Sequence, residues 1–372
     1  MKIPEEIRRE FFKVYKIIKI KEDLFGTSPP SIFVSSKSYP ITNIGILTNY
    51  QEDERSFILD YPELWYREKL DEFSILKLRA KLIYSFTKGN VYSNNKIFEK
   101  FQEITLSKKP IDVEVKIKKP SFGLTFFKFS RPIGNPTLIK DVKIVDNVSA
   151  EKIVEELINE NISAEDAVIE LYNKNLEVSR IEKLFTAGLL GKEINRKFVP
   201  TRWSITAVDD IISKFLVKKI KEFEILEKPM LLFNEYLKNE YYIFLLPYNF
   251  IFEVFEVFNN SIYHDFEGLF GRKTYAENVA GGYYAAKLGI CEYLYKIQKQ
   301  AAVIIYRKIK SSLAASLGVW KVREAVRDAK VLKTFENIKE VEEEIKKINP
   351  ELYKKSFVLK LVKKQMNLNI FK

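Results

Sequence analysis

The chain has 372 residues, 46% of them hydrophobic, and its 62 Lys and Arg exceed its 50 Asp and Glu by a formal charge of +12. The length exceeds one simple core, so two domains are expected, and the apolar content excludes a disordered chain. The cationic excess points to a polyanionic partner, nucleic acid before anionic membrane, while one cysteine and one histidine exclude an intrachain disulfide, a His-His zinc pair and a cysteine-rich zinc site.

The charged start, Met1-Lys-Ile-Pro-Glu-Glu-Ile-Arg-Arg-Glu, does not read as a signal peptide. The most apolar run, residues 241–258, is broken by Pro247, Asn249, Glu253 and Glu256 and does not span a bilayer. A cytoplasmic protein with no membrane partner is expected.

Residues 4–24 predict a basic amphipathic helix, with Ile7, Phe11, Val14, Ile17 and Ile18 at helical spacing. Leu24-Phe-Gly-Thr-Ser-Pro-Pro-Ser-Ile-Phe-Val predicts a rigid, shaped loop that enters a strand at residue 32, since each proline restricts the residue before it. A second strand is expected at 41–47, and helix from Pro62 and again over 73–86. Residues 109–119 alternate strictly, with Ile111, Val113, Val115 and Ile117 on one face and Asp112, Glu114, Lys116 and Lys118 on the other, which is a half-buried strand. Ser121 to Pro136 reads as a loop carrying Lys128 and Arg131.

Around residues 149–191 the texture changes to short helices introduced by Ser149, Ser163 and Ser179, and Ser163 with Asp166 has capping-box spacing. Next comes Arg196-Lys-Phe-Val-Pro-Thr-Arg-Trp-Ser-Ile-Thr-Ala-Val-Asp-Asp, with a helix expected to open near Thr206 and Asp209 and Asp210 in its first turn. Those carboxylates admit three readings, a divalent-metal site, neutralisation of the helix N-terminus or pairing with Arg202. Arg202-Trp203 likewise reads as a phosphate-binding and base-stacking pair or as a buried Trp with a salt bridge. Residues 241–246 and 250–258 read as a hairpin of strands buried on both faces.

Gly271-Arg-Lys-Thr-Tyr-Ala-Glu-Asn-Val-Ala-Gly-Gly-Tyr-Tyr-Ala-Ala-Lys287 is unlike its surroundings. Gly281, Gly282, Ala285 and Ala286 suit a tight helix crossing, while Arg272, Lys273, Tyr283 and Tyr284 offer charge and rings to an anionic or nucleic-acid partner. Cys291, just beyond, reads as a buried, inert thiol. The rest is expected to be largely helical, with a strand admissible at 301–306, helix over 319–335 and a charged helix over 336–348. At the C-terminus, Gln365, Leu368 and Phe371 have the spacing of a peptide that interacts with the DNA sliding clamp (PCNA), a PIP motif with Lys372 where a second aromatic usually stands.

The segments Leu24-Phe-Gly-Thr-Ser-Pro-Pro-Ser-Ile-Phe-Val, Val199-Pro-Thr-Arg-Trp-Ser-Ile-Thr-Ala-Val-Asp-Asp and Gly271-Arg-Lys-Thr-Tyr-Ala-Glu-Asn-Val-Ala-Gly-Gly-Tyr-Tyr-Ala-Ala resemble signatures of the archaeal Nre DNA-repair proteins. Lys299-Gln-Ala-Ala-Val and Leu317-Gly-Val-Trp-Lys-Val-Arg-Glu-Ala-Val-Arg are similar to that family as well, so the resemblance runs in order across nearly the whole chain. It implies a role in DNA-damage repair coupled to the sliding clamp through the C-terminal peptide. Many members begin with a four-cysteine zinc cluster, which this sequence lacks, so zinc is not expected.

The leading expectation is therefore a repair factor that binds DNA through Arg202, Trp203, Arg272, Lys273, Tyr283 and Tyr284 and docks on the clamp through Gln365, Leu368 and Phe371. The alternative is a metal-dependent nuclease using Asp209, Asp210, Asp265 or Glu267 with Mg or Mn. Beyond that divalent metal the residues imply no cofactor. The expected fold class is mixed α/β (α+β), with an N-terminal α/β domain over 1–258 containing the helical cluster. A mainly helical C-terminal domain over 259–363 and a clamp-interacting tail over 364–372 complete it.

Overall fold

The computed structural model describes residues 4–21, 23–126 and 130–369, and the fold is α+β. The chain divides into two compact units, Met1–Ile211 with Ser316–Gly318, and Ile212–Ala315 with Val319–Lys372.

In the first unit, helix α1 (Glu5–Lys19) is followed by strands β1 (Asp23–Ser28), β2 (Ser31–Val34) and β3 (Ile41–Asn49). Helices α2 (Pro62–Arg67) and α3 (Glu72–Ala80), strand β4 (Leu82–Asn90), helix α4 (Lys96–Leu106) and strand β5 (Ile111–Pro120) come next. The short β6 (Leu124–Thr125) and β7 (Ile133–Gly134) precede β8 (Pro136–Ile144) and the helices α5 (Lys152–Asn159), α6 (Ala164–Asn173), α7 (Val178–Thr186) and α8 (Thr201–Ile220). Six strands form one sheet in the order β1-β5-β8-β4-β3-β2. Every neighbouring pair is antiparallel except β4 and β8.

The amphipathic reading of α1 holds: Ile7, Phe11, Val14 and Ile18 are buried, each contributing on the order of 1.5–3 kcal/mol by leaving water. The alternation in β5 also holds, since Ile111, Val113, Val115 and Ile117 join the core while Lys116 and Lys118 stay exposed. Ser163 caps α6 by accepting from the amide of Asp166. Two local expectations are corrected. Residues 24–28 are not loop but strand β1, in register with β5 (Leu24 opposite Val115), because the two prolines lie between strands rather than inside one. Helix does not run to residue 86: α3 ends at Ala80 and Leu82 starts β4, which pairs with β3 along its whole length.

The second unit begins within α8 and holds β9 (Met230–Tyr236), β10 (Asn239–Leu246), β11 (Phe252–Phe258) and β12 (Ser261–Glu267). Helix α9 (Gly281–Ile297), β13 (Ala302–Ile309), α10 (Ser312–Ala315), α11 (Trp320–Arg327) and β14 (Lys330–Thr334) follow, then α12 (Ile338–Ile348), α13 (Pro350–Lys355) and α14 (Phe357–Asn369). The sheet order is β12-β11-β13-β10-β9-β14. Phe244, Leu246, Ile304 and Phe255 form one apolar layer with Val341, Ile345, Val358 and Val362 of α12 and α14. Helices α9 and α11 pack together and against β11, β9 and β10.

Here too the structure amends the sequence reading. Strands β10 and β11 are not a hairpin; β13 lies between them, antiparallel to β10 and parallel to β11. Residues 319–335 are not one helix, since α11 stops at Arg327 and β14 adds to the edge of β9. Strands β12, β13 and β14 thus give the region after residue 259 more sheet than expected. Helix α9 comes close to α11 at Gly289, where a side-chain carbon would sit 2.6 Å from the Arg323 carbonyl oxygen, which only glycine permits.

Candidate nucleic-acid interface

In the second unit, β12 carries Asp265 and Glu267 two residues apart, hence on one face of the strand, and both are buried. Asp265 accepts from the Val279 amide at 2.8 Å and pairs with Arg272 at 3.0 Å. Glu267 accepts from the Tyr283 hydroxyl at 2.6 Å and from Lys287 Nζ at 2.8 Å. Arg272 also donates to the carbonyls of Thr274 and Tyr275, at 2.9 and 3.1 Å. Burial, and then the neighbouring Glu267, hold the Tyr283 hydroxyl well above the ordinary phenol range. Buried charges persist when they are paired and hydrogen-bonded, and these acids spend their lone pairs in that way.

The network pins the 268–280 segment to α9. Tyr283 and Tyr284 are both buried, the latter accepting from the Ala276 amide at 3.1 Å. The expectation that their rings face a nucleic acid is therefore corrected: they are core. Lys273 remains exposed, beside Phe270 at 98% and Tyr275 at 43% exposure. Among the described residues no group of three or more His, Cys, Asp or Glu is placed to hold a metal ion.

His264 bonds Glu253 at 2.7 Å, and Ser356 donates to the same carboxylate at 2.6 Å. The carboxylate stands between serine and histidine, so the imidazole is not positioned to take the serine proton. Glu253 also accepts from the Phe357 and Val358 amides, and so caps the N-terminus of α14. Cys291 is fully buried, and burial pushes its thiol well above the usual range, as expected of an inert thiol.

In the first unit, helix α8 opens at Thr201, not near Thr206, directly behind Pro200, whose carbonyl accepts from the Trp203 and Ser204 amides. Arg202 and Trp203 are therefore the first-turn residues. Asp209 and Asp210 lie in the third turn, beyond reach of the helix dipole, and project about 100° apart as adjacent helical residues. Trp203 is 41% exposed and leans on Tyr39, ring centroids 4.9 Å apart. The Tyr39 hydroxyl meets that of Tyr92 at 3.5 Å, and Lys197 donates to Tyr92 at 3.2 Å with its ammonium 5.0 Å from the ring centroid. Tyr92 itself is 59% exposed.

These four side chains form an aromatic patch, exposed at Trp203 and Tyr92 and half-buried at Tyr39, with a cation at its edge. Trp203 was marked in the sequence by its arginine neighbour. Tyr39 and Tyr92 carry no local signal, because only the packing of β3 against β4 brings the residues flanking those strands together.

A further polar centre in this unit is Asp60. It pairs with Arg79 at 2.6 Å, Arg131 at 2.8 Å and Lys183 at 3.4 Å, and accepts from Ser31 at 2.5 Å. Burial raises the Asp60 carboxyl, but Arg131, Lys183 and Arg79 outweigh it and hold the group far below the usual carboxylate range. Burial draws the Lys183 ammonium down to about 8, against the pull of Asp60. A cavity of about 550 Å³ lies over these residues, walled by Phe57, Tyr61, Pro29 and Pro30.

Of the expected clamp-binding residues, Gln365 and Leu368 fall within the last turns of α14, and Phe371 lies outside the described residues. Among the described residues no helix is long and apolar enough to cross a membrane.

Two family models match in tandem, "Archaeal Nre, N-terminal" over residues 5–264 and "Archaeal Nre, C-terminal" over 267–371. The chain is 32% identical over 332 residues to DNA repair protein NreA of Archaeoglobus fulgidus, covering 86% of this chain and 83% of that one. It is 34% identical over 323 residues to DNA repair protein NreB of the same organism, covering 83% and 81%. It is also 29% identical over 328 residues to DNA repair protein NreA of Haloferax volcanii, covering 83% and 78%. No solved structure matches the chain.

Proposed function

The chain belongs to the archaeal Nre family, and from that premise we propose that it is a DNA-repair factor that contacts DNA directly and docks on the DNA sliding clamp. The observation that carries the DNA contact is the exposed Trp203, its ring tilted against Tyr39, with Tyr92 and Lys197 at its side. Every base has a π-face, so an exposed indole offers sequence-tolerant stacking, and an adjacent ammonium neutralises phosphate. Arg202, exposed one residue earlier, supplies a guanidinium suited to bidentate phosphate recognition. The clamp term rests on the sequence form of the tail, in which Gln365, Leu368 and Phe371 recur at intervals of three residues.

The nuclease alternative finds no support in the acids named for it. Asp265 and Glu267 are neutralised by Arg272 and Lys287, and Asp209 and Asp210 diverge around α8.

The test is fluorescence anisotropy of a labelled oligonucleotide with the intact chain and with Trp203→Ala. A lost base-stacking contact is worth about 1–3 kcal/mol, so affinity should fall by roughly 5- to 150-fold at fixed salt. Equal affinity of the two proteins would remove the patch from the DNA contact.

A further inference from the structure

A second feature of the first unit is a groove of about 630 Å³ where the C-terminal end of α1 meets β1, β5 and β8. Five lysines line it, Lys19, Lys21, Lys116, Lys118 and Lys140, against a single acid, Asp23. Other lysines of this unit do meet acids, as Lys13 meets Glu10 and Lys100 meets Asp141. The five groove lysines form no ion pair among the described residues. Their placement follows from the sequence pattern: the alternation that buries Val115 and Ile117 turns Lys116 and Lys118 outward. Lys19, in the last turn of α1, is favoured by the helix dipole. A concave surface of one charge sign concentrates oppositely charged ligands.

The groove continues into a cluster of rings. Tyr15, one of its lining residues, packs against Phe122 at 5.6 Å and Phe12 at 6.1 Å between centroids, and Phe12 meets Phe122 edge-on at 5.4 Å. Phe12 is 42% and Phe122 38% exposed, more than a purely structural cluster needs. Lys16 lies 4.9 Å from the Phe12 centroid and Lys19 lies 6.0 Å from that of Tyr15, so cations and rings alternate along the helix.

We propose that this groove is a binding track for single-stranded nucleic acid, with the lysines on the phosphates and Phe12, Tyr15 and Phe122 stacking the bases. The assignment rests on the DNA-contact reading above and adds a second contact surface. It lies at the β1-β5-β8 side of the sheet, whereas Tyr39, Tyr92 and Trp203 gather around the ends of β2, β3, β4 and α8. A single strand fits better than a duplex, because ring faces and edges can be reached only by unstacked bases. An anionic membrane fits less well, because the apolar face of α1, Ile7, Phe11, Val14 and Ile18, is buried in the core and is not available for insertion.

The experiment compares the full chain with Lys116→Gln/Lys118→Gln/Lys140→Gln by anisotropy of labelled oligothymidine across a salt series. All three residues are exposed strand positions, so the fold should persist. Each phosphate contact contributes a log–log salt slope of about −0.7 for single strands, so the triple variant should lose about 2 from the slope. Phe12→Ala/Phe122→Ala should weaken binding with the slope unchanged. An unaltered slope in the triple variant, with Trp203→Ala still weakening binding, would overturn the groove assignment and leave the first reading standing. No oligonucleotide binding by the intact chain, or binding only to phosphatidylserine vesicles, would overturn both.

Discussion

Asp60 shows how much a single carboxylate can be asked to do. Arg79, Arg131 and Lys183 all converge on it, and Ser31 donates to the oxygen that faces Lys183. Removing one member of such a buried set leaves uncompensated charge, at about 3–5 kcal/mol. Asp60→Asn should therefore lose that order of stability at neutral pH, read as a lower urea midpoint; an unchanged midpoint would mean the cations repack freely. The pH dependence has one sign in two separate windows, stability rising with pH in each. The carboxyl is depressed in the fold, so its contribution is present above the unfolded carboxylate range and disappears as the solution is acidified below it. Lys183 titrates near 8 in the fold and near 10.5 unfolded, so between those values the unfolded chain holds more protons and stability rises with pH. At this scale the sequence was legible only in part. Trp203 and Asp265 could be singled out by their neighbours in the chain, but Asp60 and Lys183 are far apart in sequence and meet only through tertiary packing.

The helices and strands that could be read in advance are those with one wet face. Strand β5 and helix α1 alternate or recur because solvent selects polar residues on one side of each. Strand β4 gave no such pattern: its first residues, Leu82 to Tyr84, are buried on both faces and follow α3 with no glycine or proline between them. Strand β14 was missed for the opposite reason, since all five of its residues are exposed and only hydrogen bonding to β9 makes it a strand. Helix α14 poses a different question, namely what fixes its start. Glu253, fully buried on β11, accepts from Ser356 and from two α14 amides. Hydrogen bonds to a charged group are worth about 1.5–3 kcal/mol. Glu253→Gln should speed hydrogen exchange of the Phe357 and Val358 amides while β10 and β13 keep their protection. Equal exchange would show that apolar packing alone holds the helix.

For the molecule as a whole, the proposed clamp contact is separable from the proposed DNA contacts, because Gln365, Leu368 and Phe371 lie at the end of the second unit while Trp203 and the lysine groove lie in the first. Deleting residues 365–372 should abolish heat exchange with the sliding clamp in calorimetry and leave oligonucleotide affinity unchanged. Clamp binding that survives the deletion would move the docking site elsewhere. Family and fold class were legible from long segments of sequence, whereas strand order was not, since it depends on pairings between distant residues. The position of β13 carries a consequence for how this unit is made. As the polypeptide emerges from the ribosome, β10 and β11 appear early and cannot join, because the strand that belongs between them is still unsynthesised. Until residue 309 has emerged, each presents an open, largely apolar edge of the kind that recruits other chains. Translation pausing between residues 258 and 302 would prolong that window, and a nascent-chain holdase acting there would shorten the path to one intact sheet.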